Sequence, residues 1–170
     1  MPGRRGERVT GRHAGAGSSA RKQLAGFLTR FDPRVAAVGK AALAKMRRRV
    51  PGATELVYDN YNALVVGFGP TERASEAVLS IALFPRWVNL FFLQGARLAD
   101  PLGLLQGEGT RVRRVLVRDA AVLDAPGVKA LIAQAVAASP IPFDGQRRRR
   151  MVIKSVSAKR RPRRPKASTS

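Results

Sequence analysis

The chain has no cysteine, a single histidine and only 11 acidic residues among 170. Without cysteine there is no disulfide, no thiolate-bound zinc or iron–sulfur cluster, and no thiol nucleophile. The one histidine, His13, lies in a Gly/Ser/Arg-rich stretch with no partner, so neither a His-based catalytic triad nor a histidine metal site is expected. No uninterrupted apolar run approaches the ~18 residues that a membrane span needs. The pair Arg4-Arg5 is followed at residues 14–20 by small, flexible residues rather than an apolar segment, so a secretory signal is not expected. These absences point to a cytoplasmic protein with no membrane association.

Cation is what the sequence has in excess. Thirty-two Lys and Arg give a formal net charge of +21 at pH 7. Residues 1–22 carry +5, residues 23–143 carry +6 and residues 144–170 carry +10. All ten aromatic residues fall in the middle segment. A segment of ~120 residues is a normal size for one domain with its own core. In residues 1–22 Val9 is the only large aliphatic set against roughly 1–2 kcal/mol of backbone entropy per ordered residue, so this segment reads as a disordered basic tail. Residues 144–170 read as a basic extension that holds an edge strand at 151–157 and is disordered after it.

Within residues 23–143 the apolar spacing predicts elements. Residues 23–30 form a short helix through Leu24, Phe27 and Leu28. Asp32-Pro33 starts a stronger one, because Asp accepts from an orphan N–H and Pro at the first helical position loses nothing. Val35, Val38, Ala42, Leu43 and Met46 make its apolar stripe, Arg47-Arg48-Arg49 complement its C-terminal dipole, and Pro51-Gly52 ends it. Strands are predicted at 55–58, 63–68, 78–84, 87–93 and 111–118, arranged as an antiparallel meander. Ala125-Pro126 opens a last helix, with Val128, Leu131, Ile132, Ala135 and Val136 on one face and Pro140 and Pro142 beyond it. Helix, antiparallel strands, then helix specify a two-layer α+β fold, with a sheet packed by N-terminal and C-terminal helices.

Strand alternation assigns the sheet two unequal faces. One carries Leu64, Val66, Phe68, Leu79, Ile81, Leu83, Val88, Leu90 and Phe92. The other is half apolar, with Val65, Gly67, Ser80, Ala82, Asn89 and Phe91. Either helices or the C-terminal segment cover that second face, or it forms a ligand groove or dimer surface rimmed by Tyr58, Tyr61, Trp87 and Asn89.

Catalytic chemistry is poorly represented. Gly67-Phe68-Gly69-Pro70 and Gly107-Glu108-Gly109 complete no phosphate-binding loop and read as turns. Asp100, Glu108, Asp119 and Asp124 sit where capping and turns use acids, and Lys129 reads as solvated. Glu55 and Asp59 share a strand face and are expected to pair with arginine rather than hold a metal. No catalytic residue, metal ligand or cofactor is expected. The physical signal is the basic extension: Arg147, Arg148, Arg149 and Arg150, then Lys159, Arg160, Arg161, Arg163 and Arg164. Such runs bind polyanions by counterion release, and with no aromatic among them the contact is phosphate-led and blind to sequence. A non-enzymatic module that binds nucleic acid non-specifically is the resulting reading. Its oligomeric state is open, a homodimer included.

Tyr58-Asp59-Asn60-Tyr61-Asn62-Ala63-Leu64-Val65 and Gly67-Phe68-Gly69-Pro70-Thr71-Glu72-Arg73 form linked blocks with the run from Leu79 to Phe92 and the run from Leu104 to Arg111. Together they resemble the YdhG-like domain family, bacterial proteins largely without an assigned role, over roughly residues 24–140. The resemblance implies a small α+β domain with a curved antiparallel sheet. One branch of the family is described as a frataxin-like intracellular iron chaperone, which the resemblance raises as an alternative function. That chemistry wants carboxylates clustered on an exposed ridge, whereas residues 34–50 contain no Asp or Glu. A small-molecule binder or small enzyme using the second sheet face is the third reading.

Overall fold

The computed structural model of the chain describes residues 12–166. Asp32 caps the most strongly amphipathic helix: its Oδ1 accepts from the Arg34 amide at 2.9 Å, and Pro33 begins α2 (Pro33–Arg49). Helix α1 (Arg12–Leu28) precedes it, and α3 (Pro126–Ala137) follows the main sheet. The strands are β1 (Thr54–Asp59), β2 (Leu64–Gly69), β3 (Leu79–Leu83), β4 (Val88–Phe92), β5 (Arg113–Leu116) and β6 (Arg150–Val156). The two-layer α+β architecture is as the periodicity predicts: three helices pack on one face of a curved, unclosed sheet.

The sheet order is β5-β4-β3-β2-β1-β6. β1 to β5 form the antiparallel meander, but β6 runs parallel to β1, so the sheet is mixed rather than wholly antiparallel. After β5 the chain crosses the helical layer through α3 and returns at the opposite edge, and that crossover sets the direction of β6.

One register row runs across all six strands: Ile153, Val57, Val66, Ile81, Leu90 and Val115. Except for Ile153 and Val115, at the two edges, these side chains are inaccessible to solvent. Each full burial of such a side chain is worth about 1.5–3 kcal/mol. Over them lie Leu24, Phe27 and Leu28 of α1, Ala42, Leu43 and Met46 of α2, and Leu131 and Ile132 of α3. Helix α2 approaches closely because Gly39 has no side chain: a Cβ there would sit 2.5 Å from Leu83 Cδ2.

Both ends of the chain depart from expectation. Residues 12–22, read as tail, are part of α1, and Ala20 is buried. Residues with weak helix propensity hold a helix here because its C-terminal half packs on the core, and tertiary burial outweighs propensity. The remainder of that proposed tail, residues 1–11, lies outside the described residues. After β6 the chain does not leave the body either. Residues 157–164 fold back as a strap over the β1–β2 hairpin, with Ser157 N donating to Asp59 O and Arg161 N to Tyr61 O, both at 2.9 Å. Residues 167–170 lie outside the described residues.

Candidate functional site

The strap is anchored on one carboxylate. Asp59, the last residue of β1, faces the helical side of the sheet and is 1% exposed. Its Oδ1 accepts from Arg163 Nη2 at 2.8 Å, and its Oδ2 accepts from Arg30 Nη1 at 3.2 Å and from Arg160 Nη1. Arg163 is itself buried, lies over the Phe31 ring at 5.5 Å, and donates further to the carbonyls of Asn60 and Tyr61. The desolvation of its guanidinium is offset by these charge-assisted bonds and the aromatic face. Arg164 donates to the carbonyls of Thr29 and Arg30, each at 3.3 Å, tying the strap to the end of α1.

The nine cations singled out among the eleven of the extension therefore separate by role. Arg163 is structural and out of reach of any phosphate. Arg160 shares Asp59, and Arg150 pairs with Glu72. Arg147 donates to Pro70 O at 3.3 Å, which leaves its charge unneutralised. Arg148, Arg149, Lys159 and Arg161 are exposed and have no carboxylate partner among the described residues. Arg161 lies over the Tyr61 ring at 5.7 Å.

The four residues expected around a groove are not one site. Tyr58 and Asn89 occupy the same register row of the open sheet face, but Val65 and Ala82 stand between them. Three strand spacings separate the two by about 14 Å. Burial raises the Tyr58 hydroxyl above its ordinary pKa by disfavouring the phenolate. Tyr61 sits in the β1–β2 turn, under the strap. Trp87 and Asn89 do come together, in a groove of about 480 Å³ shared with Phe84, Phe91 and Leu116. Gln106 and Arg114 complete its walls. Trp87 is 46% exposed and stacks on Phe84 with ring centroids 5.3 Å apart and planes 24° apart. The rest of the open face is covered in part by the loop joining β2 to β3, whose Ala77 crosses the glycines of β2. A Cβ at Gly69 would lie 3.1 Å from Ala77 Cα. Loop residues, rather than helices, are the cover.

A second cavity, of about 330 Å³, lies where the C-terminal end of α3 meets the β2–β3 loop and the end of β4. Val78, Phe92, Leu98 and Ile141 supply its apolar wall, and Glu76 and Arg97 are among its polar lining. Sequence reading does not find it, because its walls come from four segments that are apolar for ordinary packing reasons. Its one mark in the sequence is Arg97, a cation set among Gly95, Ala96 and Leu98.

Glu55 and Asp59 are held by arginine, as expected. Arg47 donates to Glu55 Oε1 through Nε at 3.0 Å and Nη2 at 2.8 Å, and Glu55 is 2% exposed. Among the described residues no group of three or more His, Asp or Glu is placed to hold a metal ion. No family model, curated protein or solved structure matches the chain.

Proposed function

We propose that the protein is a non-enzymatic binding module of the YdhG-like type that engages nucleic-acid phosphates through the ordered cations of its carboxy-terminal extension, without reading sequence. The observation that carries this reading is the position of the cations left without acid. Arg148 and Arg149 precede β6, and Lys159 and Arg161 follow it, on a chain held in place by the sheet and the Asp59 anchor. Strand β6 spans roughly 20 Å at about 3.3 Å per residue. That is about six base pairs at the ~3.4 Å rise of duplex DNA, so the two cationic groups can meet phosphates of one backbone. Helix α1 packs beside β6, and its Arg21 and Lys22 are exposed. Ordered cations lose less conformational entropy on binding than cations on a loose tail, which strengthens the attraction.

No helix among the described residues is long and apolar enough to cross a membrane. The proposed setting is the cytoplasm, where nucleic acid is available. The iron-chaperone alternative has less support, since Glu55 and Asp59 are buried under arginine. A ligand site on the open sheet face has the Trp87 groove in its favour.

The test is duplex DNA binding followed by fluorescence anisotropy across a salt series. A variant combining Arg148→Ala, Arg149→Ala, Lys159→Ala and Arg161→Ala is expected to reduce the slope of log K against log salt by about 3–4, at ~0.9 per lost phosphate contact. An unchanged slope and affinity in that variant would overturn the reading.

A further inference from the structure

We infer that the groove on the open sheet face receives an unpaired base of a single-stranded nucleic acid, stacked on Trp87. This rests on the phosphate-binding reading above and adds to it the strand state that the protein prefers. Trp87 is the only tryptophan of the chain, and nearly half of its surface is left in water. Tryptophan carries a large apolar surface that folding ordinarily buries. Here Phe84 stacks behind one side of the indole and fixes its orientation, so the ring is already ordered before a ligand arrives.

What surrounds the ring suits a base better than a purely apolar ligand. Asn89, 6% exposed, and Gln106 bring amide donors and acceptors to the groove, able to meet the edge of a base. Phe91 extends the aromatic floor, and Arg114 brings a guanidinium with no carboxylate partner among the described residues. The local charge is complementary to a polyanion. Arg114 lines the groove, Arg86 adjoins Trp87 in the chain, and no acid is among the lining residues.

A base stacked inside a duplex offers no free face to the indole, whereas single strands can splay bases onto aromatic side chains. Every base has a π-face, so stacking here adds affinity with little sequence preference. That agrees with phosphate contacts that also read none.

Trp87 fluorescence tests this on the unmodified full chain. The probes are an oligothymidylate and an abasic strand of the same length, about 12 nucleotides, within the ~4–16-nucleotide site sizes of single-strand-binding folds. Oligothymidylate is expected to quench Trp87, and the abasic strand is not. Trp87→Ala is expected to weaken oligothymidylate binding about 5- to 150-fold, the range of one stacked base, and to leave abasic-strand binding unchanged. The quenching experiment needs no variant, so a folding defect in Trp87→Ala does not decide the outcome. If both strands bind equally and neither quenches Trp87, the stacking inference is overturned and the phosphate reading stands. If neither strand nor duplex binds at low salt, both are overturned.

Discussion

Asp59→Ala tests the feature that most distinguishes this chain from a globular body with loose cationic ends. Three guanidinium groups converge on that carboxylate, and they differ in what they can do when it is gone. The side chains of Arg30 and Arg160 are 44% and 26% exposed and can return to water. The Arg163 side chain is 3% exposed and cannot do so while the strap stays docked. Removing one partner of a buried ion pair costs about 3–5 kcal/mol, chiefly because the other charge is left uncompensated. Arg163 keeps its bonds to the Asn60 and Tyr61 carbonyls and its place over Phe31, which puts the expectation near the lower end, about 3 kcal/mol. In urea, with a slope of about 2 kcal/mol/M, the midpoint falls by roughly 1.5 M. The strap should loosen first, so the Arg161 amide, bonded to Tyr61 O, exchanges faster with solvent deuterium. Arg163→Met keeps an apolar stem over Phe31 and leaves Asp59 with Arg30 and Arg160, so it should cost only about 1–2 kcal/mol. A loss below about 1 kcal/mol in Asp59→Ala, with Arg161 protection intact, would refute the anchored strap.

Two further perturbations probe the fold elsewhere. Gly39→Ala places a methyl 2.5 Å from the fully buried Leu83, so overpacking of about 1–3 kcal/mol outweighs the helix-propensity gain of up to ~1 kcal/mol. Denaturant unfolding should show a net loss, and a variant as stable as the parent would contradict the close approach of α2 to β3. Asp124 is held below its ordinary pKa, first by its hydrogen bond from Lys45 and then by Arg49. Its folded value lies below its unfolded value, so the stability that it contributes is present above the usual carboxylate range and lost as pH falls through the folded value. The urea midpoints of the parent and Asp124→Asn should differ at neutral pH and converge in acid. A difference independent of pH would exclude the ion pairs as its source.

The body of the fold was legible because its signals are local. The Asp32-Pro33 start, the stripe through Leu43 and Met46, and the alternation of Leu64, Val66 and Phe68 are set by helix and strand periods over a few residues. Each of these residues has the burial that its spacing implies. Composition alone does not show the first half of the N-terminal helix. Gly15, Gly17 and neighbouring serines argue against a helix until Leu24, Phe27 and Leu28 supply it with a buried face. Of the site residues, the Trp87–Asn89 pairing follows from alternation on one strand. Tyr58 shares the face of Asn89 but not its site, because alternation does not tell that three strand spacings part them, and Tyr61 lies in the turn beyond β1.

By itself, then, the sequence determined the order of elements, the core face of the sheet and the surplus of cation, since these depend on near neighbours and on counting. Tertiary structure alone decided which cations are free. Arg160, Arg161, Arg163 and Arg164 are alike in composition, yet Arg163 is buried on an aspartate 104 positions away while Arg161 faces solvent. That difference arises from the parallel docking of β6 beside β1, which brings a single carboxylate within reach of some guanidinium groups and not others. No local pattern encodes it, because ion pairing depends on distance in space rather than along the chain.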